Sequence, residues 1–116
     1  MELIIGGAFQ GKLSYALKRY GLTEKDVCDL AVQDPEPGYG CYWHLEALSR
    51  RNHDIEPFLP FFEQAVVVAR QVNGGIVPME GEERAWRERY GVALQQIAKK
   101  AEHVTRVFCG LAEELK

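Results

Sequence analysis

Residues 6–12 read GGAFQGK, with Gly6 and Gly11 five positions apart and Lys12 directly after the second glycine. In the pattern G-x-x-x-x-G-K-[ST], a tight glycine turn aims successive backbone N–H groups at phosphate oxygens. The helix that follows adds its positive end, and the lysine reaches the terminal phosphates. The expected phosphate contacts of a nucleotide are accordingly Gly6, Gly7, Ala8, Phe9, Gln10, Gly11, Lys12, Leu13 and Ser14, and the expected catalytic residue is Lys12. The pattern breaks at its last position, where Leu13 replaces the Ser or Thr that would ligate Mg²⁺. Ser14 comes about 100° further round the helix, so it points away from the phosphates or meets them only from the side.

A second metal ligand would be a carboxylate at a neighbouring strand end. Asp34 and Glu36 lie in a proline-rich loop, and the apolar run AVVVAR ends in Arg70 and Gln71. No residue set is assigned to a metal, and Mg²⁺ is expected to be held only weakly, by the nucleotide and water. A bound metal supplies several kcal/mol of transition-state stabilisation, and each 1.36 kcal/mol is a tenfold rate. Losing both ligands therefore predicts phosphoryl transfer slowed by ~10³.

The other chemically capable side chains read more plainly. His44, in YWHLEALSRR, sits beside Trp43 and Leu45 as a packing or surface residue of a helix. Cys41 and His44 have the spacing of half a zinc site, but no second pair completes it. His53 and His103 read as surface residues.

These residues need elements to position them. ELII (2–5) is a short strand running into the glycines, and Leu13, Ala16, Leu17 and Tyr20 recur at helical spacing before Gly21 stops the helix. VCDLAV (27–32) reads as a strand, QDPEPGYG (33–40) as a loop, and YWHLEALSRR (42–51) as a helix. DIEPFLPFFEQ holds a short helix entered through Pro57, and its FLPFF segment (58–62) is apolar enough for the core or a subunit contact. AVVVAR (65–70) has the continuous β-branched character of a strand buried on both faces. Trp86, Tyr90, Ala93, Leu94, Ile97 and Ala101 then form the apolar stripe of the clearest helix, and VTRVFCG (104–110) closes as a fourth strand. The order β-α-β-α-β-α-β predicts an α/β fold with a mostly parallel sheet of about four strands between helices.

Length and charge narrow the function classes. A chain of 116 residues, 47% apolar, fits one domain, 1–116, with a real core. The formal charge of −3 and a pI near 5.6 disfavour nucleic acid and acidic membranes as partners. Three cysteines without C-x-x-C spacing, no signal-like leader and no long apolar run read as a reduced, cytoplasmic protein.

GGAFQGK, GGIVPMEGEERAWRERYG (74–91) and VFCGLAEELK together resemble the adenosylcobinamide kinase/adenosylcobinamide-phosphate guanylyltransferase family of cobalamin biosynthesis. The likeness covers both ends of the chain and looks like that of a short relative lacking much of the central region. It implies a three-layer P-loop NTPase-like fold, ATP or GTP as phosphate donor, the aminopropanol hydroxyl of a corrinoid, cobinamide, as acceptor, and a homo-oligomer. It also implies that Gly75, Ile76, Val77 and Pro78, with Arg84 and Arg87 on the first turns of the next helix, border the substrate. The family's usual N-E-V-G-x-G-I-V-P appears here as RQVNGGIVP, with Arg70, Gln71 and Asn73 replacing the Asn, Glu and first Gly. The family's second step passes GMP through a histidine. No histidine occurs between Gly21 and Cys41, so the kinase step is the one expected, with a non-catalytic nucleotide-binding or scaffold protein as the alternative.

Overall fold

The computed structural model describes residues 1–8, 10–72 and 81–116. Its strands are β1 (Glu2–Gly6), β2 (Val27–Asp29), β3 (Cys41–Trp43), β4 (Val66–Arg70), β5 (His103–Phe108) and β6 (Leu111–Glu114). The helices are α1 (Lys12–Tyr20), α2 (Leu45–Arg51), α3 (Leu59–Phe62) and α4 (Gly81–Lys100). One six-stranded sheet runs in the order β2-β3-β4-β1-β5-β6, parallel throughout except for the antiparallel β5–β6 hairpin. The α/β class and the mostly parallel sheet agree with the sequence reading, although there are six strands instead of about four.

The two extra strands have different causes. Cys41–Trp43 carries no β-branched residue and runs into a helical pattern, so it reads as the first turn of that helix; instead it pairs with both β2 and β4. β6 is exposed along its whole length and is held by its pairing with β5 and the Arg106–Glu113 ion pair, which leaves no apolar pattern to read. The predicted strand over 27–32 ends early, because the Asp29 carbonyl accepts from the N–H groups of Val32 and Gln33 and turns the chain.

Alternation along the strands divides the core between the two sheet faces. Leu3, Val67, Ala69 and Val104 face a cluster with Leu45, Leu48, Phe62, Trp86, Tyr90 and Ile97, contributed by α2, α3 and α4. Ile4, Val66, Val68 and Val107 face Ala16 of α1. Helices thus cover both faces. FLPFF belongs to the first cluster: Phe62 is fully buried, with Phe58, Leu59 and Phe61 packed around it. The stripe of α4 is core as its spacing requires, and Arg50 clasps α2 to α4 by a bidentate bond to Glu83 and by lying 3.4 Å over the Trp86 ring. No described helix is long and apolar enough to cross a membrane.

Candidate phosphate site at the glycine loop

β1 and β4 are neighbours, but the chain leaves β1 to form α1 on one face and leaves β4 towards α4 on the other. Adjacent parallel strands whose connections diverge in this way open a crevice at their carboxyl ends, the usual ligand position in such sheets. Here the crevice is a cleft of about 410 Å³ lined by Ala8, Gln10–Ser14, Trp43, His44, Glu46, Val68 and Arg70.

The glycines at the cleft have distinct work. A Cβ on Gly6 would stand 2.5 Å from the Val107 carbonyl oxygen of β5, so only glycine lets the strand end pass there. Gly11, at φ +84°, caps α1 in the left-handed region, which glycine enters without strain. The first α1 bond runs from the Tyr15 N–H to the Gly11 carbonyl, so the N–H groups of Lys12, Leu13 and Ser14 have no carbonyl to bond within the helix. No acidic side chain occupies the first turn of α1, which leaves its positive end uncompensated.

Lys12 Nζ donates to the Gly7 carbonyl at 2.6 Å, folding the amine back across the turn. Burial is the largest influence on this amine and lowers its pKa; Glu46 pulls it up and Arg70 pushes it down again. The turn itself is clamped from behind. The Gln10 side-chain oxygen accepts the Cys109 N–H at 2.6 Å and its carbonyl accepts the Gly110 N–H at 3.1 Å, tying the glycine loop to the β5–β6 hairpin.

The opposite wall comes from the ends of β3 and β4 and the start of α2, with Asp29 of β2 behind it. His44 belongs to no helix, contrary to the sequence reading: it precedes α2 at φ +66°, stacks on Trp43 at 3.9 Å and meets Asp29 Oδ1 through Nδ1 at 2.7 Å. A carboxylate only accepts, so Nδ1 carries a proton, and the neutral ring with that tautomer presents Nε2 as its acceptor. Left-handed φ in a non-glycine residue costs of order 1 kcal/mol and concentrates at functional positions. Arg70 ends β4 with its backbone held three ways. Its N–H donates to Glu46 Oε1 at 2.9 Å, its carbonyl accepts the Tyr90 hydroxyl at 2.6 Å, and its register partner is Gly6.

Measured against a magnesium centre, this donor set does not fit. Leu13 offers no oxygen, Arg70 occupies the end of β4, and Glu46, the one carboxylate among the described residues lining the cleft, already accepts an N–H. Asp34 pairs with Arg51, and Glu36 is an exposed residue outside the cleft lining. A separate group, Glu2, Glu102 and His103, gathers at the opposite end of the strands, where Glu2 and His103 bond at 2.9 Å.

Of the expected site residues, Ala8 and Gln10–Ser14 line the cleft and Gly6 and Gly7 shape its turn. Phe9 and Gly75, Ile76, Val77 and Pro78 lie outside the described residues. Arg84 is exposed on α4 and Arg87 lies 3.7 Å from Glu83; neither lines the cleft. Asp29, Glu46 and the placement of His44 escaped the sequence reading. Residues that follow parallel strands line such crevices, but the predicted strand ran over 27–32 and kept Asp29 in its interior; only the early end of β2 at Asp29 brings that residue to the strand end.

No curated protein sequence matches the chain. The family model for cobinamide kinase / cobinamide phosphate guanyltransferase matches residues 45–115, from the start of α2 to the residue after β6. The match begins beyond the glycine loop, so the loop's reading and the family's stand on different residues. With more than half its length matched, the chain belongs to the cobinamide kinase / cobinamide phosphate guanyltransferase family.

Proposed function

We propose that this protein binds ATP or GTP through its phosphates at the glycine loop and transfers the γ-phosphoryl group to the aminopropanol hydroxyl of cobinamide. The observation that carries this is the cleft at the β1/β4 divergence, where the first-turn N–H groups of α1, which have no partner within the helix, and Lys12 share one concave surface with His44. Family membership supports cobinamide as the acceptor.

In the proposed step the hydroxyl oxygen bonds to the γ-phosphorus as the bond to the β,γ-bridging oxygen breaks. The nucleoside diphosphate leaves with that electron pair, and the hydroxyl proton passes to His44 Nε2, whose ring Asp29 orients. Lys12 and the N–H groups of residues 12–14 hold the phosphate chain in line. Leu13 and Arg70 favour a second reading, a protein that binds nucleotide without turnover, because neither can help hold Mg²⁺.

Incubation with γ-labelled ATP or GTP and cobinamide separates the two. Labelled cobinamide phosphate, lost in Lys12→Met, supports the kinase; nucleotide binding without label transfer supports the second reading.

A further inference from the structure

We propose that Arg70 is a phosphate-binding residue that takes the place of the metal ion, so that the cleft binds the polyphosphate chain of a nucleotide without Mg²⁺. The inference rests on the phosphate site proposed above and assigns a residue and a metal requirement that the glycine pattern does not.

Arg70 has the right position. It ends β4 in register with Gly6, the first glycine of the loop, and shares the cleft wall with Gln10–Ser14. Its backbone is fixed at both polar atoms, by Glu46 and by the buried Tyr90, and the next N–H, that of Gln71, donates to the Gly6 carbonyl at 2.8 Å. The guanidinium itself is exposed and has no hydrogen-bond or ion-pair partner among the described residues. An anchored backbone carrying an uncommitted guanidinium is preorganised for an anion, and guanidinium geometry matches phosphate oxygens bidentately. The charge balance agrees. Lys12 and Arg70 both line the cleft, and Arg70 already depresses the Lys12 amine, so among the described residues two cations face a single cleft carboxylate, Glu46. Polyphosphate relieves that repulsion. A divalent cation would add to it, and would find a leucine and an arginine where its ligands should be.

Isothermal titration of ATP and of inorganic tripolyphosphate, each with Mg²⁺ and with chelator, tests this in the wild type, Lys12→Met, Arg70→Gln and Arg70→Lys. Wild-type affinity should change by no more than about threefold between Mg²⁺ and chelator. In chelator, Arg70→Gln should bind about 10- to 150-fold more weakly and Arg70→Lys should recover part of that loss. Tripolyphosphate binding as tight as ATP assigns the recognition to phosphate alone, whereas tighter ATP adds a nucleoside contribution; in both cases the Arg70 effect must persist. Binding that collapses in chelator overturns the proposal. So does Arg70→Gln binding at wild-type strength while Lys12→Met is weakened, a result that spares the phosphate site. Failure of the wild type to bind either probe overturns both.

Discussion

Replacing Lys12 by methionine separates a structural lysine from a functional one. The change removes the charge and the 2.6 Å bond to the Gly7 carbonyl while keeping an unbranched stem of equal helix propensity. Two opposing terms set its effect on stability. A hydrogen bond from a charged donor is worth about 1.5–3 kcal/mol. Against it stands desolvation, the largest influence on this amine, reinforced by Arg70 and only partly offset by Glu46. A lysine whose pKa is lower folded than unfolded holds its proton less tightly in the native state. Near neutral pH its charge therefore favours unfolding, and its removal returns that cost. The half-buried setting moderates both terms, and the net change should stay within about 0.5 kcal/mol, the scale of an ordinary surface substitution. Phosphate affinity has no such compensation and should fall about 10- to 150-fold. Urea denaturation and calorimetric titration of one preparation give both numbers. Destabilisation above about 2 kcal/mol would refute the reasoning, since Lys12 would then be a strut of the turn and weaker binding only its by-product.

Other predictions follow from the same contacts. Gly6→Ala drives a Cβ to 2.5 Å from a backbone oxygen that cannot step aside, so urea denaturation should show a loss of about 1–3 kcal/mol or more. Tyr90→Phe strips the Arg70 carbonyl of its 2.6 Å donor inside the core and should cost about 1–3 kcal/mol by the same measurement. A thiol reagent at neutral pH should modify Cys109 rapidly in the native protein, and Cys28 and Cys41 only after unfolding. Burial pushes the Cys41 thiol up to about 12 and raises Tyr90 as well, so the native state keeps protons that the unfolded chain releases. Stability should be at its full value below about pH 8.5 and decline progressively above it, which denaturation midpoints across pH 7–11 will show.

What could be read in the sequence was whatever depends on local order. The β1–loop–α1 unit is contiguous, so GGAFQGK between an apolar strand and a helical stripe announces the turn and the helix that follows it. Val66–Arg70 declares itself by its β-branched run, and α4 by the spacing of Trp86, Tyr90 and Ile97. The far wall of the cleft is another matter, because it is created by strand order. Asp29 and His44 are 15 residues apart and meet only because β2 and β3 lie side by side in parallel register. Glu46 reaches the end of β4 because β3 is its neighbour, and β3 itself was hidden in the helical reading of Tyr42 and Trp43. An adjacency of this kind leaves no periodicity in the chain.

The central claim, that nucleotide phosphates lie against the glycine loop, is tested most directly by amide ¹H–¹⁵N spectra recorded as ATP or GTP is added. The largest shifts should fall at Gly7, Gln10, Gly11, Lys12, Leu13 and Ser14 and at Arg70, with Glu2, Glu102 and His103 at the opposite end of the strands unmoved. Saturating nucleotide that leaves the amides of residues 10–14 in place, or shifts only residues remote from them, would contradict it.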